Sequence, residues 1–111
     1  MEYVLTAAEM KKYDETAIKE YGIESLVLME RAALETANAV VAKYGKEIYV
    51  GVVAGCGNNG GDGIAVARIL QEYGIRVEIN MVGENKKLTS ETKIQLEIAK
   101  KLNIPIYYGV E

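Results

Sequence analysis

The chain reads as an α/β protein, a partial doubly wound parallel sheet of three strands preceded by two helices. A nine-residue turn, Gly55 to Gly63, contains five glycines and joins an apolar run, Ile48 to Ala54, to an amphipathic one, Ile64 to Tyr73. Beyond it, the hydrophobic period switches between two residues and three to four, the signatures of strands and helices. Together these observations describe a Rossmann-like, three-layer α/β/α plan.

The elements follow in order. Thr6-x-x-Glu9 is a capping-box pattern, after which Met10, Tyr13, Ala17, Ile18 and Tyr21 share one helical face up to Gly22. Ser25 is placed to cap a second helix, along which Met29, Ala33, Ala37, Val40, Val41 and Tyr44 recur at three and four until Gly45. Glu47 to Ala54 is a first strand, apolar on both faces and therefore expected at or near the centre of a sheet. After the turn, Ile64, Ala67, Leu70 and Tyr73 line a helix that Gly74 stops. Arg76 to Val82 alternates Val77, Ile79 and Met81 as a second strand, and GENKK, Gly83 to Lys87, is a loop. Leu88 to Asn103 is helical through Ile94, Ile98 and Leu102, with Lys100 and Lys101 suiting its C-terminal end. Pro105 to Val110 is a short third strand; lacking an amide, Pro105 belongs at its start or on a sheet edge. Right-handed crossovers give the spatial order 3-2-1, half of a doubly wound sheet, so the outer flank of the first strand is an unpaired edge.

Composition narrows the function classes. The 111 residues, 50% apolar and 26% charged, form a single domain, 1–111. A net charge of −3 with dispersed basic residues argues against a nucleic-acid partner, since Lys86-Lys87 and Lys100-Lys101 are only pairs. MEYVLTAAEM is no secretory leader, and no apolar stretch reaches the about 18 residues of a membrane span, so no membrane association and a cytoplasmic location are expected. One cysteine, Cys56, forms no internal disulfide, and without any histidine to activate it Cys56 reads as a small loop residue.

The turn carries the chemistry. Gly55, Gly57 and Gly60 satisfy G-x-G-x-x-G between a strand and a helix, the context in which bare backbone and the first helical amides receive a phosphate. No G-K-[ST] follows, which excludes a Walker loop. Glu78 lies near the place of a ribose-binding acid, with a solvated strand-face carboxylate as the alternative. Asp62 is placed to cap the following helix and to touch a ligand in addition. Asn58 and Asn59 suit left-handed turn positions as well as ligand contact. Glu30 and Arg31 are either a solvated helix pair or a contact to a ligand or second subunit, and the eight tyrosines read as core packing.

Two segments, MKKYDETAIKEYGIESLVLMERAA from Met10 to Ala33 and GCGNNGGDGIAVARIL from Gly55 to Leu70, resemble the NAD(P)H-hydrate epimerase family, the YjeF N-terminal domain. The most specific parts are Leu28 to Ala32 and Asn58 to Gly63, and the resemblance spans essentially the whole chain as the N-terminal half of that domain. It implies an isomerase of nicotinamide nucleotide repair that interconverts the R and S forms of hydrated NADH or NADPH (NADHX, NADPHX) for a partner NAD(P)HX dehydratase, and that forms a homodimer. Asn58, Asn59, Gly60, Gly61 and Asp62 would then be the loop that binds the dinucleotide substrate, and Asn59 a ligand of a potassium ion. The family continues with an aspartate-bearing segment and a proline-serine-glycine segment that supply the other potassium ligands and the acid/base group. Glu111 precedes both, so no catalytic residue is assigned and the 111 residues are expected to be inactive alone. A non-catalytic nucleotide-binding or scaffold module of the same fold is the alternative.

Overall fold

A computed structural model describes residues 24–83 and 88–110. The expected first helix, Thr6 to Tyr21, and loop residues 84–87 lie outside them. The described elements are α1 (Ser25–Tyr44), β1 (Tyr49–Ala54), α2 (Asn58–Glu72), β2 (Arg76–Val82), α3 (Ser90–Lys101) and β3 (Ile106–Val110). The strands are parallel in the order β1-β2-β3, as the crossover rule requires, with Tyr49 to Ala54 opposite Arg76 to Met81. Pro105 immediately precedes β3, and its carbonyl accepts from the Ile79 amide at 2.9 Å.

The helix ends fall where local backbone chemistry puts them. Gly74, at φ 89°, closes α2 in a Schellman turn: its amide donates to Gln71 O at 2.9 Å and the Ile75 amide to Leu70 O at 3.0 Å. Asn103, at φ 59°, does the same for α3, bonding Lys100 O while the Ile104 amide reaches Ala99 O. The Thr89 side chain caps the start of α3 by accepting from the Thr92 amide.

The helix starts depart from the sequence reading. Glu24, not Ser25, occupies the N-cap of α1, without a side-chain cap bond. Ser25 instead donates its hydroxyl to Glu91 Oε2 at 2.8 Å, which joins the first turns of α1 and α3. α2 begins at Asn58 rather than Ile64, so most of the glycine-rich turn is helical.

One face of the sheet carries the core. Val77, Ile79 and Met81 pack under Ile64, Ala65, Ala67, Ile69 and Leu70 of α2, which Ala33, Ala37 and Val40 of α1 and Leu96 and Ala99 of α3 flank. α2 is therefore apolar around most of its circumference, as a helix buried between neighbours must be. The small residues facing it allow close approach. On the opposite face Tyr49, Val53 and Tyr107 are exposed, Val53 at 71%. Tyr44 and Tyr108 are exposed too, so these four tyrosines are not core packing; Tyr73 does pack against the core edge. β1 pairs only with β2 among the described residues. It is therefore an edge strand, as the 3-2-1 order of this half sheet requires, and its outward residues Tyr49, Gly51 and Val53 are uncovered by any described element.

Two outcomes are expected. Glu91 is held below the ordinary carboxylate range by the Ser90 and Ser25 hydroxyls and its own amide. A depressed folded-state pKa contributes stability above the unfolded value and loses it as pH falls through the folded value. Ser25→Ala should therefore cost about 0.5 kcal/mol at neutral pH, the low end for a partly exposed bond, and less in acid once Glu91 is protonated, as read by denaturant titration at both pH values. Separately, a polypeptide of these 111 residues should self-associate through the β1 edge in sedimentation, and Val53→Lys should shift it toward monomer; a monodisperse monomer in the parent would contradict this.

Candidate functional site

The candidate site lies where β1 and β2 end and α2 and α3 begin. β1 finishes at Ala54, the chain turns through Gly55, Cys56 and Gly57, and Gly57 serves as the N-cap of α2. The Gly57 carbonyl accepts from the Gly60 amide at 2.9 Å and from the Gly61 amide at 3.4 Å. The amides of Asn58 and Asn59 precede the first carbonyl a helix can offer them, so they point out of the helix N-terminus with its partial positive charge.

Three glycines inside a helix oppose its formation by roughly 1 kcal/mol each relative to alanine, and tertiary contacts explain why they are there. A β-carbon at Gly60 would overlap the carbonyl of Gly55, which is backbone and cannot rotate away. One at Gly61 would lie 2.8 Å from Thr92 Oγ1 and 2.9 Å from Met29 Cε, and one at Gly63 would lie 3.1 Å from Val52 Cγ1. The first turn of α2 is thus wedged against the strand exit below it and against α1 and α3 beside it.

Of the residues singled out in sequence, Asn58, Asn59, Gly60, Gly61 and Asp62 all fall in the first five positions of α2. Gly60 and Gly61 are buried, and Asp62 is half-buried. Asp62 is not the helix cap, because the helix starts before it and Gly57 holds that position. Cys56 lines the same corner, with Sγ 3.5 Å from the Val82 carbonyl. Glu78 is not brought to the loop. It sits in mid-strand opposite Gly51, where its carboxylate accepts from Tyr49 Oη at 2.5 Å and Asn80 Nδ2 at 3.0 Å. Those bonds hold Glu78 below the ordinary carboxylate range and push the Tyr49 phenol up. The solvated strand-face reading is the one that holds. Glu30 pairs with Arg68 of α2, a bond between helices, while Arg31 is exposed.

Sequence reasoning missed Thr89 and Thr92. The Thr89 amide donates to Cys56 O at 3.1 Å, and Thr92 Oγ1 donates to Gly57 O at 2.7 Å. The pattern Thr89-Ser90-Glu91-Thr92 is itself a helix-start signal that would have placed the α3 N-terminus here. A surface cavity of about 340 Å³ lies at the other end of the strands, lined by Tyr49, Gln71, Arg76 and Pro105 among others. In open parallel sheets ligands bind beyond the carboxyl ends of the strands, so the glycine turn is the stronger candidate.

No group of three or more His, Cys, Asp or Glu residues able to hold a metal ion occurs among the described residues. Amide and carbonyl oxygens, with the single carboxylate of Asp62, are what the loop offers. That donor type suits a monovalent cation better than a transition metal, and Asn59 alone falls short of a full shell. No described helix is long and apolar enough to cross a membrane.

Comparison with known proteins places this geometry in a family. The YjeF-related protein N-terminus matches residues 25–110. The NAD(P)H-hydrate epimerase of Weissella koreensis is 47% identical over 100 residues, covering 90% of this chain and 45% of the relative. That of Levilactobacillus brevis is 47% identical over 106 residues, covering 96% and 49%. A crystal structure of the yeast protein ynu0, YNL200c, superposes with a TM-score of 0.76 at 23% identity, covering 96% of this chain and 47% of that one, which supports the Rossmann-like α/β fold. The chain spans about half the length of the curated relatives it matches. With its glycine turn, parallel strand order and matched residues in agreement, the chain belongs to the YjeF-related N-terminal family.

Proposed function

We propose that this chain supplies the nucleotide-binding half of an NAD(P)H-hydrate epimerase, which interconverts the R and S forms of NADHX or NADPHX. The observation that carries the reading is the seating of Gly60 on the Gly55 backbone, which leaves the first amides of α2 open at the carboxyl end of β1. The names of the relatives support the choice of substrate. The pyrophosphate of the dinucleotide would rest on the Asn58 to Gly61 backbone, with Asn58, Asn59 and Asp62 as side-chain contacts. Binding energy gathered there, away from the reacting carbon, would orient the hydrated nicotinamide ring.

Asn59 would contribute one oxygen to a potassium ion, with further oxygens from residues beyond these 111. Bound beside the loop, such an ion would offset the charge of the diphosphate. The acid/base group that exchanges the proton lies outside the chain in this reading. An NAD(P)HX dehydratase would consume one epimer, and the homodimer belongs to the same proposal. A cytoplasmic location belongs to the same proposal, and a single cysteine, outside any disulfide, is in keeping with it.

ADP-ribose is the direct probe of the loop. Calorimetric titration of the 111-residue polypeptide should detect binding, and Gly60→Ala should abolish it while destabilising the fold by about 1–3 kcal/mol through overpacking. Unchanged affinity in that variant would remove the loop from the site. In an epimerisation assay with hydrated NADH, the 111 residues alone should be inactive, and a polypeptide continued to the length of the relatives should be active. Activity of the short polypeptide would contradict the assignment of the acid/base group.

A further inference from the structure

Thr92 is fully buried, at 0% exposure, although it carries a hydroxyl and stands on α3 rather than on the loop. Its Oγ1 donates to the Gly57 carbonyl at 2.7 Å, the shortest of the bonds that carbonyl accepts, and receives the Thr89 hydroxyl at 2.9 Å. Its own amide is capped by Thr89 Oγ1 at 3.3 Å, so the hydroxyl is held from both sides rather than left to rotate. The next carbonyl upstream, that of Cys56, is tied to the same turn of α3 by the Thr89 amide at 3.1 Å.

A trans peptide is planar, and its C=O and N–H point in opposite directions. The Gly57 carbonyl and the Asn58 amide belong to one such plane. A hydroxyl that pulls the carbonyl toward α3 therefore turns the Asn58 amide the other way, out of the α2 N-terminus. We propose that Thr92 is a positioning residue of the nucleotide site: by anchoring the Gly57 carbonyl, it aims the first free amide of α2 at the diphosphate of the ligand. The proposal rests on the reading of the loop as a dinucleotide site. It also explains the crowding at Gly61, since the hydroxyl occupies the space a β-carbon there would need.

The test compares Thr92→Val, which keeps the shape and loses the hydroxyl, with Thr92→Ser, which keeps the hydroxyl and loses a methyl. ADP-ribose affinity should fall roughly tenfold in Thr92→Val and stay within about twofold in Thr92→Ser, the worth of one good hydrogen bond. Loss of packing alone would rank the variants the other way, because the serine leaves a gap and the valine fills it. Hydrogen exchange at the Gly60 and Gly61 amides, which donate to the same Gly57 carbonyl, provides a second readout that needs no ligand; it should quicken in Thr92→Val and not in Thr92→Ser. Equal affinity in the valine variant and the parent, or an equal fall in both variants, would overturn the role, as would exchange at Gly60 and Gly61 that ignores the hydroxyl. If the parent itself fails to bind ADP-ribose, the nucleotide reading is what fails, and exchange at Gly60 and Gly61 still decides whether Thr92 anchors the loop.

Discussion

Backbone lies directly on backbone where the first turn of α2 meets the chain leaving β1, and that contact sets the position of every other part of the site. Gly60 rests against the Gly55 carbonyl at a separation no β-carbon allows. The approach brings the helix N-terminus to the end of the strand, so that amides lacking helical acceptors face the space beyond the sheet. A charged ligand can be received there without a lysine. With a net charge of −3, the chain has no general positive field to draw an anion, and the local dipoles of one turn must serve.

Around that contact the fold is organised by α2. Glycines and alanines on it and on its neighbours bring α1, α3 and the sheet close, and polar bonds tie the three described helices to one another. Ser25 of α1 bonds Glu91 of α3, Glu30 of α1 pairs with Arg68 of α2, and Thr92 of α3 bonds Gly57 at the α2 cap. The bonds of Ser25 and Thr92 lie at the same end of the helices as the glycine turn, and the Glu30–Arg68 pair lies farther along α2. The opposite face of the sheet and the β1 edge are left open by the described residues, which fits a chain that spans about half of its relatives.

Much of this was legible in the sequence because the signals are local. Gly45 and Gly74 mark the ends of α1 and α2, and the alternation Val77, Ile79, Met81 sets β2 and its buried face. The handedness of crossovers then leaves one strand order. The start of α2 was not legible, because residues 58–63 have poor helix propensity and only close packing against Gly55, Met29, Thr92 and Val52 makes them helical. The same error gave Asp62 a capping role that Gly57 holds. Ser25 has the right residue type for a cap but finds a better partner, Glu91, far away in sequence. The tyrosines at 44, 49, 107 and 108 are exposed because hydrophobic character alone does not say which face of a half-covered sheet a residue joins. For the site itself, the motif located the loop; the side chain that fixes its peptide plane comes from α3 and left only a helix-start pattern in the sequence.

The central claim is that outward-facing amides at the start of α2 receive the diphosphate of a dinucleotide. Amide-resolved NMR titration with ADP-ribose tests it most directly. The largest and saturating shifts should fall on the backbone amides of Asn58, Asn59, Gly60 and Gly61, with smaller ones on Thr89 and Thr92. Saturable shifts confined to the start of β2 around Arg76, with the α2 amides unmoved, would contradict it.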